Sequence, residues 1–545
     1  MALSTIVKKT CPACGKIAKE QGRIDFGDTK LITLGCGHCI TESSIAGNES
    51  LSYENLISYD ASPTCIHVWD KSKCIKCPAK RLMPFQIEGI KFAEKSNART
   101  GIFDEQGLGK TVQALALLRL HPELLPAVIV VKSTLKKQWF RQIQTWTGGK
   151  SIEGQGNYLT QVLFTSIERP IPSAFGIYIT SYDILKTEGM FDGVEVKTLI
   201  LDECQTIKNH LAGRSKAVQL LGKQVEHVIA LSGTPIKNHA GEYFTILNLL
   251  QPSRFPEYNK FIRDDCDSYE TQYGYKVGGL ANADLFRDKT DDFIIRRLQK
   301  DVLPDMPSMD RQFYHVELDK KLNQAYRDGM KELDELMYSE EDENTVTSII
   351  AIMTKLRRIT GISKVTECID YLTDFLLSND RKIVVFVHHK TVMNLLEANL
   401  NKWLSDGGFE PCLVYRAGMD GFNTVKAFRE SKSRVMIAST LAAGEGLDQL
   451  QEFVSTGIML ERQWNPANEE QAEKRFHRIG QLLPVNIIYM LATETIDEYF
   501  TELVEQKRAI VKSTLDNETV EWDTNSLMKE LAGVLLSKGK ERWRL

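Results

Sequence analysis

Nowhere in these 545 residues does an uninterrupted apolar stretch approach the ~20 residues that a membrane-spanning helix needs, so no membrane partner is expected. The opening, MALSTIVKKTCPACG, has no apolar core behind a basic start, so no secretory leader is expected and a disulfide framework lacks its usual setting. Strong charge is missing as well: the formal net charge is −4. A strongly basic chain would announce nucleic acid at once; here any such partner must be held by local patches and backbone amides. Beyond residue 77 cysteine is scarce, with Cys204, Cys266, Cys368 and Cys412 scattered along the chain. With 42% hydrophobic and 26% charged residues the composition is that of an ordinary globular protein. At about 100–200 residues per domain, the length suits three or four domains.

The remaining cysteines crowd the front, at Cys11, Cys14, Cys36, Cys39, Cys65, Cys74 and Cys77. CPAC and CGHC are two CxxC knuckles, and Cys11, Cys14, Cys36 and Cys39 together match a closed tetrahedral zinc site. Cys65, His67, Cys74 and Cys77 offer a second set of four ligands. Closed sets hold structural metal, and in so small a segment zinc supplies folding energy. Residues 1–80 are therefore expected to be a module with about two Zn2+ ions, able to take DNA or a protein partner.

From residue 81 to about 240, apolar runs (AVIVV, FGIYIT, KTLILD, HVIALSG) alternate with helical patterns, and the rhythm returns over 361–515 in KIVVFV, PCLVY, RVMIAS, TGIML and NIIYML. This is the βαβ signature of parallel sheets. The charged stretch 241–360 reads as helical insertions and an inter-lobe linker, and 516–545 as a helical tail. The expected fold class is α/β: two parallel-sheet lobes with helical insertions behind the small zinc-binding module.

The first lobe carries Gly107, Leu108, Gly109, Lys110 and Thr111 at a turn from strand into helix. Glycines let backbone amides curl around an anion, with a lysine reaching phosphate oxygens and a threonine ligating Mg2+. The strict pattern GxxxxGK[ST] is broken by Asp104. KTLILDECQ ends a strand in Asp202, placed to hold Mg2+, and Glu203, placed to orient and deprotonate water. ALSGTP sets Ser232 and Thr234 at another strand end. In the second lobe, QWNPANEEQAEKRFHRIGQ holds Arg475 and Arg478 three apart, a spacing that predicts a shared helix face. Paired arginines suit the charge developing on a transferred phosphoryl group.

In order and spacing, DEQGLGKT, LILDECQTIKN and ALSGTP resemble motifs I, II and III of the Snf2-type translocases of helicase superfamily 2. The pattern QAxxRxxRxGQ from Gln471 to Gln481 resembles their motif VI. RLMPFQIEGIKFA, AVIVVKSTLKKQWFRQIQTW, RRLQKDVLPDMPS, RKIVVFVHHKTVMNLL and IASTLAAGEGLDQL extend the resemblance over roughly 82–515. It implies two RecA-like lobes that hydrolyse ATP between them and move along or remodel duplex or branched DNA. It further implies that Gln86 reads the adenine, that Gln106 through Thr111 hold the phosphates, that Gly446 and Asp448 complete the ATP site, and that the segment after AVIVV contacts a DNA strand. The chain looks closest to the compact annealing-helicase and fork-remodelling branch. Cys204 and Gln205 depart from the family's motif II, where Gln205 keeps a side chain able to bond across the lobes; Leu441 and Asp448 depart from motif V. Alternatives are a strand-separating DNA or RNA helicase and a non-hydrolysing scaffold. The expected setting is intracellular, in a bacterial or virus-infected cytoplasm, with the nucleus left open.

Overall fold

The computed structural model describes residues 80–147, 159–236, 239–271, 274–337, 343–463 and 466–502, together with Tyr53, Leu56, Glu505 and six short strands before residue 75. The expected α/β fold class is borne out: each lobe is built on one parallel sheet.

Among the described residues the first lobe's sheet has seven strands, ordered Ile294–Ile295, Arg99–Ile102, His227–Leu231, Thr198–Asp202, Ala127–Val131, Gly176–Ser181 and Leu159–Val162. Its inner strands are unbroken apolar runs because both faces are covered. Val128 and Val130 enter one core with Tyr178, Leu199 and Leu201. Ile129 and Val131 enter the opposite core with Ile179, Ile200 and Trp139. Register then sets the site. Ile102 pairs with Leu231, and Leu231 with Asp202, so the loops following these three strands leave at one edge of the sheet. The strand Ala127–Val131, next in the chain after Arg99–Ile102, lies three places away, and such a reversal opens a crevice at the strands' C-terminal ends.

The second lobe's sheet has six parallel strands, ordered Met309–Val316, Val485–Ala492, Val454–Met459, Lys382–Val387, Val435–Ser439 and Leu413–Tyr415. The same alternation holds: Ile383, Val385 and Val387 pack with Leu372 and Leu396, while Val384 and Phe386 pack with Phe428 and Phe476.

The stretch 241–360 is not purely helical. Ile294–Ile295 adds an edge strand to the first sheet and Met309–Val316 adds one to the second, so the chain crosses between lobes within residues 296–308. Met309–Val316 reads MDRQFYHV, a mostly exposed strand without the apolar run that marks an inner one. The helices Lys320–Met337 and Glu343–Ser363 belong to the second lobe, packing Tyr326, Met330, Met353 and Leu356 against Ile496 and Phe500.

Four strands near the N-terminus form an antiparallel ladder. Thr10 pairs with Ile17 and Thr33 with Cys39, while Phe26 pairs with Thr29 at the far end. The strand ends flanking CPAC and CGHC therefore share one end of this sheet. Cys11, Cys14, Cys36, Cys65, His67 and Cys77 lie outside the described residues; Cys39 and Cys74 fall in strands whose side chains are likewise outside them.

Arg297, in the crossing segment, fixes the loop after the first strand. Its Nε and Nη2 donate to the two Asp104 carboxylate oxygens at 2.9 and 2.6 Å, and Gln113 Nε2 donates to Asp104 Oδ2 at 2.9 Å. Arg297 Nη1 also donates to the Phe85 carbonyl. Asp104 is fully buried. This accounts for the missing first glycine of the phosphate-loop pattern: the position is occupied by the acceptor of a buried bidentate pair. Asp104→Gly would restore the pattern but strand Arg297, and losing one partner of a buried pair costs about 3–5 kcal/mol. Urea unfolding should show a loss of that size; a variant as stable as its parent would mean that the pair contributes nothing to the fold.

Candidate nucleotide site between the lobes

The phosphate loop is shaped from both sides. Gly107 and Gly109 take φ of +88° and +79°, in the left-handed region where a side chain is strained, and Gly109 caps the helix Lys110–Leu120. A Cβ on Gly109 would lie 2.4 Å from Gln86 Nε2. Gln86 is buried; its Nε2 donates to Leu108 O at 3.0 Å and its Oε1 accepts from Met83 N at 2.9 Å. Both ends of the amide expected to read adenine thus brace the loop. Lys110 Nζ donates to Asp104 O at 2.7 Å and Glu105 O at 3.4 Å. Burial pulls its pKa down, against the pull of Glu203, Asp104 and Asp202. A half-buried lysine resting on carbonyls at a helix N-terminus, with Thr111 beside it and carboxylates near, fits the phosphates and Mg2+ of a nucleotide.

Asp202 is held at three points. Trp139 Nε1 donates to Oδ2 at 2.6 Å, Tyr182 OH donates to its carbonyl at 2.8 Å, and Glu203 N donates to Oδ1 at 3.1 Å. Burial, then the neighbouring Glu203 carboxylate, push its pKa up to about 6. Glu203 sits at φ +50°, off the line of the strand, in a left-handed conformation that costs roughly 1–2 kcal/mol in a residue with a Cβ. Gln205 Nε2 donates to Glu203 Oε2, Ser232 Oγ donates to Gln205 Oε1 at 2.7 Å, and Thr234 N donates to Ser232 Oγ at 3.0 Å. Gln205, whose side chain is able to bond across the lobes, is buried here in the first lobe and joins the carboxylate pair to the SGT turn.

The shared helix face expected for Arg475 and Arg478 is also corrected. The helix Pro466–Glu473 ends before them, and they lie in the irregular turn that follows. Between them Phe476 is drawn into the second lobe's core, 5.5 Å from the Phe386 ring, and His477 Nε2 bonds Pro307 O at 2.8 Å. This turn seats on the phosphate loop: a Cβ on Gly107 would lie 2.9 Å from Arg478 Cβ and 3.4 Å from its Cα. The guanidinium groups rest on their own lobe, Arg478 Nη1 on Asp448 Oδ1 at 2.7 Å and Arg475 Nε on Gly444 O at 3.1 Å. Burial would raise the Asp448 pKa, but Arg478 and Arg475 hold it below the usual carboxylate range. Gly446 packs on Tyr415, whose hydroxyl leaves no room for a Cβ.

Several residues of this junction escaped the sequence reading. Lys474 Nζ lies 2.8 Å from Glu105 Oε1 across the lobes and donates to Gln299 Oε1 at 2.5 Å. Gln299 N donates to Glu105 Oε2 at 2.7 Å and its Nε2 to His477 O at 3.3 Å. Burial works to raise the Glu105 pKa, and Lys474, the Gln299 amide and Arg296 more than cancel it. Glu105 and Lys474 adjoin recognised residues in sequence, but nothing in their spacing pairs them. Trp139 lies in the segment whose resemblance implies only a contact to a DNA strand.

Residues 85–363 match the SNF2-related domain, and residues 363–480 match the helicase conserved C-terminal domain. The chain is 27% identical over 474 residues to the DNA annealing helicase and endonuclease ZRANB3 of Mus musculus, covering 84% of this chain and 43% of that protein. It is 31% identical over 439 residues to the SWI/SNF-related matrix-associated actin-dependent regulator of chromatin subfamily A-like protein 1 of Xenopus tropicalis, covering 78% of this chain and 44% of that protein. The chain thus spans less than half the length of these curated relatives. A solved Sulfolobus solfataricus SWI2/SNF2 ATPase core in complex with dsDNA aligns at 19% identity and a TM-score of 0.37, over 84% of this chain and 96% of that one. With its phosphate loop, carboxylate pair and arginine turn inside the two matched regions, the chain belongs to the SNF2-related family.

Proposed function

We propose that this chain is a DNA-dependent ATPase that moves along or remodels duplex or branched DNA. The observation that carries the reading is the seating of the Arg475–Arg478 turn on Gly107, which brings the two halves of a phosphate site together from distant parts of the chain. Lys110 and Thr111 would hold the nucleotide's phosphates, with Asp202 holding Mg2+; the ion supplies charge neutralisation there. Glu203, fixed by Gln205, is aimed to orient and deprotonate water. Arg475 and Arg478 would exchange Gly444 and Asp448 for phosphate oxygens. Both relatives quoted above are named for work on DNA or chromatin, which supports DNA as the track.

Glu203→Gln keeps an oxygen for the Gln205 amide and removes the base. ATP binding should persist while turnover falls about 10²–10⁴-fold; turnover near wild type in a steady-state assay would remove Glu203 from that role.

Arg478→Ala should lower DNA-stimulated turnover by about 10³–10⁵, with nucleotide and DNA affinity changed far less. Arg478→Lys should rescue poorly, because a point charge lacks the planar fork. An alanine variant with wild-type stimulated turnover would sink the composite site. A strand-displacement assay run beside a duplex-translocation assay separates translocation from strand separation.

The N-terminal module is proposed to hold two structural zinc ions, one on Cys11, Cys14, Cys36 and Cys39, the other on Cys65, His67, Cys74 and Cys77. Support for the first comes from the strand ends that flank both knuckles at one end of the ladder. Elemental analysis of protein purified without chelator should find about two Zn2+ per chain; none would refute both sites.

A further inference from the structure

A cavity of about 960 Å3 lies between the lobes, walled by the helix Lys136–Thr147 on one side and by residues from 415–422 and 441–449 on the other. Its basic side chains are Lys80, Lys137 and Arg141. A carboxylate from the opposite lobe is set on two of them. Arg141 Nη2 donates to Asp420 Oδ2 at 3.1 Å and to Oδ1 at 3.3 Å, and Lys137 Nζ lies 3.8 Å from Oδ2. The Arg141 guanidinium also stacks over Phe422, 4.1 Å from the ring centroid. One arginine of the first lobe is therefore gripped by both a carboxylate and an aromatic face of the second.

Asp420 has its direction fixed by a second task. It caps the helix Gly421–Glu430, accepting from Asn423 N at 3.2 Å. The ion pair remains partly open to water, at 31% exposure for Arg141 and 23% for Asp420, so it is weak and exchangeable. An anion held by an arginine and a lysine has the chemistry of a backbone phosphate contact.

The segment that holds Lys137 and Arg141 is the one whose resemblance implies a DNA-strand contact; we propose that Asp420 occupies these two cations in the free protein and competes there with a DNA backbone phosphate. A phosphodiester entering the groove displaces the carboxylate, and the same exchange removes one of the bonds between the lobes. The inference rests on the DNA-motor reading above and adds to it a built-in competitor for DNA.

Asp420→Asn separates the two tasks, since asparagine caps a helix about as well as aspartate but carries no charge. Fluorescence anisotropy with a labelled duplex should show Asp420→Asn binding roughly two- to fivefold more tightly than wild type, the factor expected of a partly exposed ion pair. DNA-free ATP turnover should rise with it. Arg141→Gln should weaken binding, and in that background Asp420→Asn should give only a small part of the gain it gives alone, because the main pair is already broken. Wild-type affinity for Asp420→Asn, or the same gain with Arg141 present and absent, overturns the inference and leaves the motor reading standing. A wild-type chain that neither binds duplex nor is stimulated by it overturns both.

Discussion

The pairing of Asp104 with Arg297 ties the loop after the first strand to the segment that crosses between lobes, and much of the site hangs from that crossing segment. Arg296 donates to Phe103 O and Gly233 O, linking the phosphate loop to the SGT turn. Arg297 holds Asp104 and the Phe85 carbonyl, beneath the loop and at the start of the Gln86 helix. Gln299 reaches Glu105, Lys474 and His477, touching both lobes. Within a few residues of chain, a single strap is bonded to the loop after the first strand, the SGT turn and the Lys474–His477 turn. The buried charge pair is tolerable because both carboxylate oxygens and most guanidinium donors are satisfied, which is the condition under which burying charge does not unfold a protein.

A second regularity concerns where cations rest. Lys110 lies on two carbonyls, Arg475 on Gly444 O, Arg478 on Asp448, and Arg141 on Asp420. Each has an acceptor supplied by the protein, and phosphate is a better one in charge and geometry. Parking of this kind keeps desolvated cations from being stranded, and it makes ligand capture an exchange of partners. Of the two carboxylates used, Asp448 belongs to the same lobe as Arg478, whereas Asp420 reaches Arg141 from the opposite lobe, so only the second exchange bears on how the lobes are held together.

The parallel lobes were legible because an inner strand of such a sheet has to be apolar on both faces: AVIVV, KTLILD and KIVVFV announced themselves, and register then brought Asp202 beside the phosphate loop. Edge strands carry no such demand, so Ile294–Ile295 and Met309–Val316 passed as linker. The arginines' spacing of three fits a helix, but the helix ends at Glu473 and Phe476 between them enters the core from the turn that follows. Gln86 and Gln205 were recognised as important, yet an amide serves equally well toward a ligand or toward its own chain, and only the packing shows that these two face inward. The zinc ligands fall outside the described residues and stay at the level of their spacing.

Gly107 stands at the boundary between the two lobes. Its missing side chain is the space in which Arg478 sits, so the loop's bareness serves the partner lobe as much as any phosphate. A methyl group there would act as a doorstop, holding the lobes apart by the thickness of one carbon while leaving Lys110, Asp202 and Glu203 in place. The tolerance of this chain for change at its most recognisable loop is thus set from outside that loop, by a surface contributed from a distant part of the chain.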